Sequence, residues 1–502
     1  MIDSLFSLLE GFLVALTWQN LLYCFIGVML GMIIGILPGL GPVSGTALLI
    51  PITFGMEPVS AIIMLSGIFY GSMYGGTITS VLVNVPGEAA SVITCIDGYE
   101  MTKQGRAGTA LGVAAIGSFI GGIVAVMVLT FVGPFLSSVA LKFGPPEFFS
   151  IMLLGMLMIV ALMGKSLIRG LIAAFIGLLL SMVGQDIVSG EYRFTFNSFH
   201  LMEGIDFAVM AMGLFGISEI LINAENPARV GKPPKVKGLL PRREEWPSTL
   251  KAVGRGTGIG MILGLIPGAN SIIASTFSYI LEKKVSKDPS RFGKGAIEGV
   301  AGPETANNAH SGAALIPLFS LGLPSSPTMA VILGAFIMHG LTPGPTLFTN
   351  NPDFVWGLIA SMFIGNVMLL ILNLPLVGMW AKIAMVPYKL LFPIILMVIF
   401  LGTYSLNGSL WDVGMMMVFG IIGYIMKKLD IPISAMIVTF ILGSQLESSM
   451  LQSLSISTEG FLIFFLRPIS TVIMLITIVV FAMSIYSTIK NKRSNLEADV
   501  EI

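Results

Sequence analysis

Long apolar stretches, separated by short clusters of Gly, Pro and polar residues, run along nearly the whole chain. They include residues 21–37, 107–132, 148–163, 167–183, 207–222, 354–376, 387–401, 413–425, 433–446 and 461–486. Many approach or exceed the ~20 residues that an α-helix needs to cross about 30 Å of hydrocarbon, and roughly a dozen membrane segments are expected. Only helices and closed barrels satisfy every backbone group in lipid. The expected fold is therefore an all-α polytopic membrane protein.

Within this apolar background one skeleton, G-x3-G-x3-G-x2-P-G, occurs in each half. The first copy is Gly27, Gly31, Gly35, Pro38 and Gly39; the second is Gly256, Gly260, Gly264, Pro267 and Gly268. Gly-x3-Gly by itself favours close helix packing in membranes. Packing does not explain why both triplets run into Pro-Gly, where proline removes a backbone donor and glycine frees φ. A duplicated apolar helix broken at the same point is the pattern of a secondary transporter built from repeats.

Composition agrees. Hydrophobic residues make up 55% of the chain and charged ones 11%, against about 25% charged in soluble domains. Acidic and basic residues balance, 27 against 27, which leaves no electrostatic case for nucleic acid. The two cysteines, Cys24 and Cys95, suggest neither a disulfide framework nor a metal site. Residues 1–20 carry Asp3 and Glu10 but no basic n-region, and are expected to form an interfacial or short first helix.

The distribution of charge orients the chain. Its first basic residue is Lys103, and the turn at 54–58 has no Lys or Arg. Residues 223–255 hold Arg229, Lys232, Lys235, Lys237, Arg242, Arg243, Lys251 and Arg255. By the positive-inside rule this loop, Lys427–Lys428 and the tail are cytoplasmic. Copy one enters from an uncharged side and meets basic residues only after its apolar run, at Lys103 and Arg106. Copy two enters from the basic loop, turns at Lys283, Lys284, Lys287, Arg291 and Lys294, and ends in a stretch, 339–353, without Lys or Arg. The copies are expected to span the membrane in inverted topology, as broken helices or re-entrant hairpins, with substrate near the midplane. The division read from these features is an N-terminal half, 1–222, with repeat one over about 20–132. A basic cytoplasmic linker (223–255), the repeat-two core (256–353), C-terminal scaffold helices (354–489) and a polar cytoplasmic tail (490–502) complete the chain.

Each copy has a second break, Asn84-Val-Pro-Gly-Glu-Ala-Ala-Ser91 and Gly322-Leu-Pro-Ser-Ser-Pro-Thr328. Such breaks are either surface turns or helix ends pointing into a cavity, where free N–H groups and the helix dipole attract anions. The symmetric pair favours the cavity. Between the breaks lie Gly71–Thr79, with Gly75, Gly76 and Thr77, and Gly302–Gly312, with Glu304, Asn307 and Asn308. Polar groups at membrane depth are costly unless satisfied by a ligand or by neighbours. Glu304 is the leading coupling carboxylate, the bland alternative being a helix-end cap at the interface. Glu88 and Asp97 rank lower, as candidates for the cytoplasmic rim. His200, His310 and His339 follow no metal-ligand spacing, Gly41-Pro-Val-Ser-Gly45 with His310 makes no coherent protease, and no Walker A motif occurs. No enzyme is expected.

Long motifs in order make the chain resemble the large membrane subunit of tripartite tricarboxylate transporters, the TctA family. They are GILPGLGP (35–42), YGSMYGGTITS (70–80), NVPGEAAS (84–91), DGYEMTKQGRAGTALG (97–112), PETANNA (303–309) and GLTPGP (340–345). The resemblance implies a bacterial inner-membrane symporter for small di- and tricarboxylates such as citrate, coupled to Na⁺ or H⁺. It implies two partners, a small TctB-like membrane subunit and a periplasmic TctC-like solute-binding protein. The family's Pro-Gly and Asn-Asn elements fall on Pro38, Gly39, Pro86, Gly87, Pro267, Gly268, Asn307 and Asn308. Ser325 stands where the family usually has Gly, and PGANS places Asn270 and Ser271 at a tip where a further Gly is common.

The expected carboxylate site is Pro38, Gly39, Gly41, Ser44 and Thr46 with Pro267, Gly268, Asn270 and Ser271. It is completed by Asn84, Pro86, Gly87, Pro324, Ser325 and Ser326. The expected coupling set is Glu304, Asn307, Asn308, Gly75, Gly76 and Thr77, with Na⁺, if that is the ion, held there. A passive carboxylate channel and a non-transporting membrane assembly protein are the rival readings.

Overall fold

The computed structural model describes residues 2–500 except 38–39, 164–165, 187–189, 226–235, 237, 385 and 387. Pro38, Gly39, Lys165, Arg229, Lys232, Lys235 and Lys237 therefore lie outside the described residues. The first half holds α1 (Ile2–Ala15), α2 (Trp18–Ile36), α3 (Gly41–Leu49), α4 (Pro58–Val83), α5 (Val92–Lys103) and α6 (Ala107–Ala140). It continues with α7 (Pro145–Met163), α8 (Leu167–Ser181), α9 (Phe207–Ala211) and α10 (Ser218–Glu225), the last two joined by a π-helical stretch, Met212–Ile217. The second half begins with α11 (Trp246–Gly264), α12 (Ser271–Val285), α13 (Glu298–Ala313), α14 (Leu315–Leu321) and α15 (Pro327–Met338). It ends with α16 (Leu347–Asn350), α17 (Pro352–Ile383), α18 (Tyr388–Asn407), α19 (Leu410–Lys428), α20 (Ile433–Ile456), α21 (Ile463–Leu466) and α22 (Pro468–Val500).

Among the described residues, 9 helices are long and apolar enough to cross a membrane, and shorter apolar helices accompany them. Large apolar side chains such as Phe175 on α8 and Val472 and Leu475 on α22 are exposed. A soluble protein would bury such faces; lipid covers them here. The fold is all-α and polytopic, relieved among the described residues only by a two-residue ladder pairing Gly184–Gln185 with Tyr192–Arg193.

The glycine triplets set how the helices pack. Gly27, Gly31 and Gly35 press on the carbonyl oxygens of Met64, Ile68 and Ser72, where an added Cβ would lie 2.1–2.3 Å away. Gly256, Gly260 and Gly264 meet the carbonyls of Gly302, Ala306 and His310 in the same way, at 2.3–2.7 Å. Residue numbers rise together across each contact, so α2 runs parallel to α4 and α11 parallel to α13. The short helices α3 and α12 must therefore carry the chain back, making each triplet helix the first arm of a hairpin. The base of the second hairpin is held at Arg255, whose Nε donates to Glu282 of α12 at 2.7 Å; at the start of the first, Asn20 Oδ1 of α2 accepts from the Ser60 hydroxyl of α4 at 2.6 Å. Helices α4 and α13 cross in opposite senses: Thr77 meets Glu304, while Gly98 fits between Val81 and Val300.

The second breaks share one geometry. Asn84 and Gly322 both take left-handed backbone, at φ 59 and φ 70, a conformation Asn and Gly adopt most readily. The N–H of the next residue then reaches back six positions, Val85 to Thr79 O (3.4 Å) and Leu323 to Pro317 O (3.2 Å). Both are Schellman-type ends.

Three boundaries differ from the sequence expectation. α11 begins at Trp246, so 246–255 of the expected linker is already helix, with Pro247 in the first turn, where its missing N–H costs nothing. The apolar run 461–486 is interrupted at Arg467, which is extended, because Pro468 disfavours helical backbone in the preceding residue. α22 continues to Val500, through a polar stretch rich in good helix formers.

Candidate functional site

The breaks of both halves face one cavity of about 490 Å³, within the roughly 300–1,000 Å³ usual for small-ligand sites. One wall is made by the starts of three helices: Gly41–Ser44 of α3, Asn270–Ile272 of α12 and Ser326–Thr328 of α15. Glu88 and Ala89 join them from the loop after α4, and His310 from α13. Phe215 and Glu219 from the helix 207–225, with Lys427 and Asp430–Ser434 from the α19–α20 junction, complete the lining.

Local chemistry explains the first wall. Asn270 caps α12, accepting from Ile273 N–H at 3.2 Å, and Ser326 caps α15, accepting from Met329 N–H at 3.3 Å. Such caps satisfy one of the unpaired donors at a helix start and leave others free. Pro42 and Pro327 occupy first-turn positions in α3 and α15, which proline tolerates. Gly268, at φ +83, donates its N–H to Ser325 O at 3.0 Å, tying the first break of copy two to its second. The π-helical stretch leaves Phe215 O to accept from Ser44 Oγ at 3.3 Å; π-bulges frequently mark functional sites.

Beside the cavity lies a buried polar cluster. Glu304 is 1% exposed. Its two carboxylate oxygens accept from Thr77 Oγ1 at 2.7 Å and from Thr94 Oγ1. It sits within the second turn of α13, and its carboxylate caps no free N–H group there. Asn307, one turn on, donates to Glu88 Oε1 at 2.5 Å; Asn308 donates to Ser118 Oγ at 2.7 Å. Among the described residues, the side-chain Oδ1 atoms of Asn307 and Asn308 are buried without a hydrogen-bond partner, an arrangement that native interiors rarely leave unexplained. Neither Glu88 nor Glu304 has a Lys or Arg partner among the described residues.

The sequence-derived residues separate on placement. Gly41, Ser44, Asn270, Ser271 and Ser326 line the cavity. Thr46 turns its hydroxyl onto Pro42 O at 2.7 Å, Ser325 turns its own onto Ala314 O at 3.3 Å, and neither lines the cavity. Asn84, Pro86, Gly87, Pro267, Gly268 and Pro324 build the breaks without lining it. Thr77, Glu304, Asn307 and Asn308 fall in the buried cluster. Gly76 abuts Glu88, whereas Gly75 packs against α2 near Met32 O. Asp97 accepts from the N–H groups of Gly293, Gly295 and Ala296 at 2.8–2.9 Å and from Tyr279 OH at 2.9 Å, clamping the loop before α13.

Sequence reasoning missed Glu219, His310 and Lys427 as cavity residues and ranked Glu88 low. Glu88 had a usable signal: in the aligned breaks Asn84 matches Gly322, Pro86 matches Pro324, and Glu88 falls opposite Ser326. No local pattern marks Lys427, which only tertiary packing brings to the cavity.

A polytopic helical membrane protein, with a cavity set at its helix breaks, is the class that fold and site define. The chain belongs to the tripartite tricarboxylate transporter TctA family, which it matches over residues 21–438. That is a family of transporter components, not of enzymes. It is 44% identical over 498 residues, 99% of each chain, to the uncharacterized 52.8 kDa protein in the TAR-I ttuC' 3' region of Agrobacterium vitis. It is 43% identical over 237 residues, 47% of this chain and 98% of the other, to the uncharacterized protein in the TAR-II ttuC' 3' region of the same organism. No solved structure matches it.

Proposed function

We propose that this protein is the transport subunit of a binding-protein-dependent symporter for small di- and tricarboxylates in the bacterial inner membrane. The convergence of three helix starts, from both copies of the repeat, on one cavity carries this reading. Helix N-termini offer unpaired N–H groups and a positive dipole end, which suit a carboxylate. Broken helices of two repeats meeting at one cavity are the usual substrate site of inverted-repeat transporters. The opposite senses of α4 and α13 and the parallel pairs α2/α4 and α11/α13 support an inverted repeat. Gly41, Ser44, Asn270, Ser271 and Ser326 would receive the carboxylate.

The coupling ion would bind at Glu304, Thr77, Asn307 and Asn308. Two unpartnered amide oxygens beside a carboxylate and a hydroxyl fit Na⁺, which takes oxygen ligands, and would also accept the hydrogen of a protonated carboxyl. The periplasmic binding protein would deliver substrate, and the small membrane subunit would complete the assembly. Movement of the repeat core against α17–α22 would alternate access to the two sides.

The test is uptake of radiolabelled citrate, then of other small carboxylates, into proteoliposomes holding this chain, its small subunit and its binding protein. Na⁺ and pH gradients are imposed separately. Uptake that needs the binding protein and follows one gradient is the expected result. Flux indifferent to both gradients would favour a channel. No uptake across the panel, with Asn307→Ala/Asn308→Ala leaving assembly intact, would favour an assembly protein.

A further inference from the structure

Lys427 is the one Lys or Arg side chain lining the cavity among the described residues. It closes the last turn of α19, and its ammonium pairs with Glu219, which also lines the cavity. The two side chains are 26% and 18% exposed, so the pair is mostly buried. Glu219 lies two residues beyond the end of the π-helical stretch Met212–Ile217. One extra residue in a turn rotates the remainder of the helix by roughly 100°, which changes the face on which Glu219 lies. Glu219 has a second support, the Asn223 amide at 3.3 Å. An ammonium has three hydrogens; Glu219 accepts at one oxygen, so Lys427 retains donors for another acceptor.

We infer that Lys427 is a specificity-determining residue, whose ammonium takes one carboxylate of a substrate that sets another against the helix starts of α3, α12 and α15. This deepens the carboxylate-transport reading and rests on it. Both anchors line one cavity but sit on different elements, so it favours molecules carrying at least two carboxylates. Glu219 sets the threshold: it occupies part of the ammonium and repels any anion that approaches. A single carboxylate can satisfy one anchor only. Asp430, which also lines the cavity, pairs with Arg169 at 3.5 Å. A pair serving stability alone would lose by removal of either partner, since breaking a half-buried pair strands the other charge. A recognition pair behaves oppositely at its two ends.

The experiment titrates the detergent-purified full chain with citrate, succinate and butyrate and follows the rise in melting temperature, which reports binding to the folded state. Lys427→Met, Lys427→Arg and Glu219→Gln are compared with wild type. Citrate and succinate should stabilise wild type, and butyrate, of equal carbon count to succinate but with one carboxylate, should not. Lys427→Met should weaken succinate about tenfold or more, the scale of one charge-assisted hydrogen bond. Lys427→Arg should recover part of that loss, and Glu219→Gln should leave succinate as tight or tighter. Unchanged succinate affinity in Lys427→Met, or equal weakening in Lys427→Met and Glu219→Gln, would overturn the inference while leaving carboxylate transport standing. Wild type indifferent to all three ligands would overturn carboxylate recognition itself, and this inference with it.

Discussion

At Gly87 three backbones meet. A Cβ added there would lie 2.0 Å from Gly35 O and 2.5 Å from Gly76 Cα. Neither atom can yield without moving α2 or α4. Gly87→Ala is expected to destabilise the protein by about 3 kcal/mol, the upper range for overpacking. Gly254→Ala is the control, since that exposed glycine of α11 has no atom within 4 Å of an added Cβ and the change should stabilise by up to about 1 kcal/mol. Thermal melting in detergent checks both; a Gly87→Ala protein as stable as wild type would refute the packing. At this scale the sequence was informative wherever one residue type answers one backbone demand. The triplet glycines and the Pro-Gly breaks are of that kind. Lys427 and His310 were not legible, because a cavity residue distant in sequence has no local signature until the helices are packed.

The hairpins are the elements on which the site depends, and their bases are built differently. The first is anchored to α4 by neutral groups, Asn20 and Ser60. The second is closed by Arg255 on Glu282, whose carboxylate is 1% exposed and accepts from both Nε and Nη2 of the guanidinium. Removing the arginine strands a buried charge, so Arg255→Ala should cost about 3 kcal/mol. Glu282→Gln with Arg255→Met should recover much of that, because replacing both partners leaves no stranded charge. Melting of the single and double variants decides this, and equal losses in both would show that the base is held elsewhere. Element limits were legible from apolar runs and Pro-Gly punctuation. Limits set by polar but helix-competent residues, at Trp246–Arg255 and beyond Tyr486, were not, because apolar patterning is silent about helix that extends past the membrane.

Across the whole molecule, charge and direction are linked. Basic residues gather where α4 ends and α11 begins: Arg106 pairs with Glu245 at 2.5 Å, Gln104 bonds Lys294 O at 2.7 Å, and Asp97 clamps 293–296. The turn at Phe54–Glu57, at the base of the first hairpin, carries no basic residue. By the positive-inside rule the two bases are expected on opposite sides, an expectation that the parallel α2/α4 and α11/α13 pairs with antiparallel α4 and α13 support. The expectation is tested with Glu57→Cys and Lys287→Cys, both exposed positions, placed singly in a chain whose Cys24 and Cys95 are replaced by Ala. A membrane-impermeant maleimide added to intact spheroplasts should label Glu57→Cys, while Lys287→Cys should react only after permeabilisation. Labelling of both from the same side would exclude inversion and, with it, a substrate site made by hairpins entering from opposite faces of the membrane.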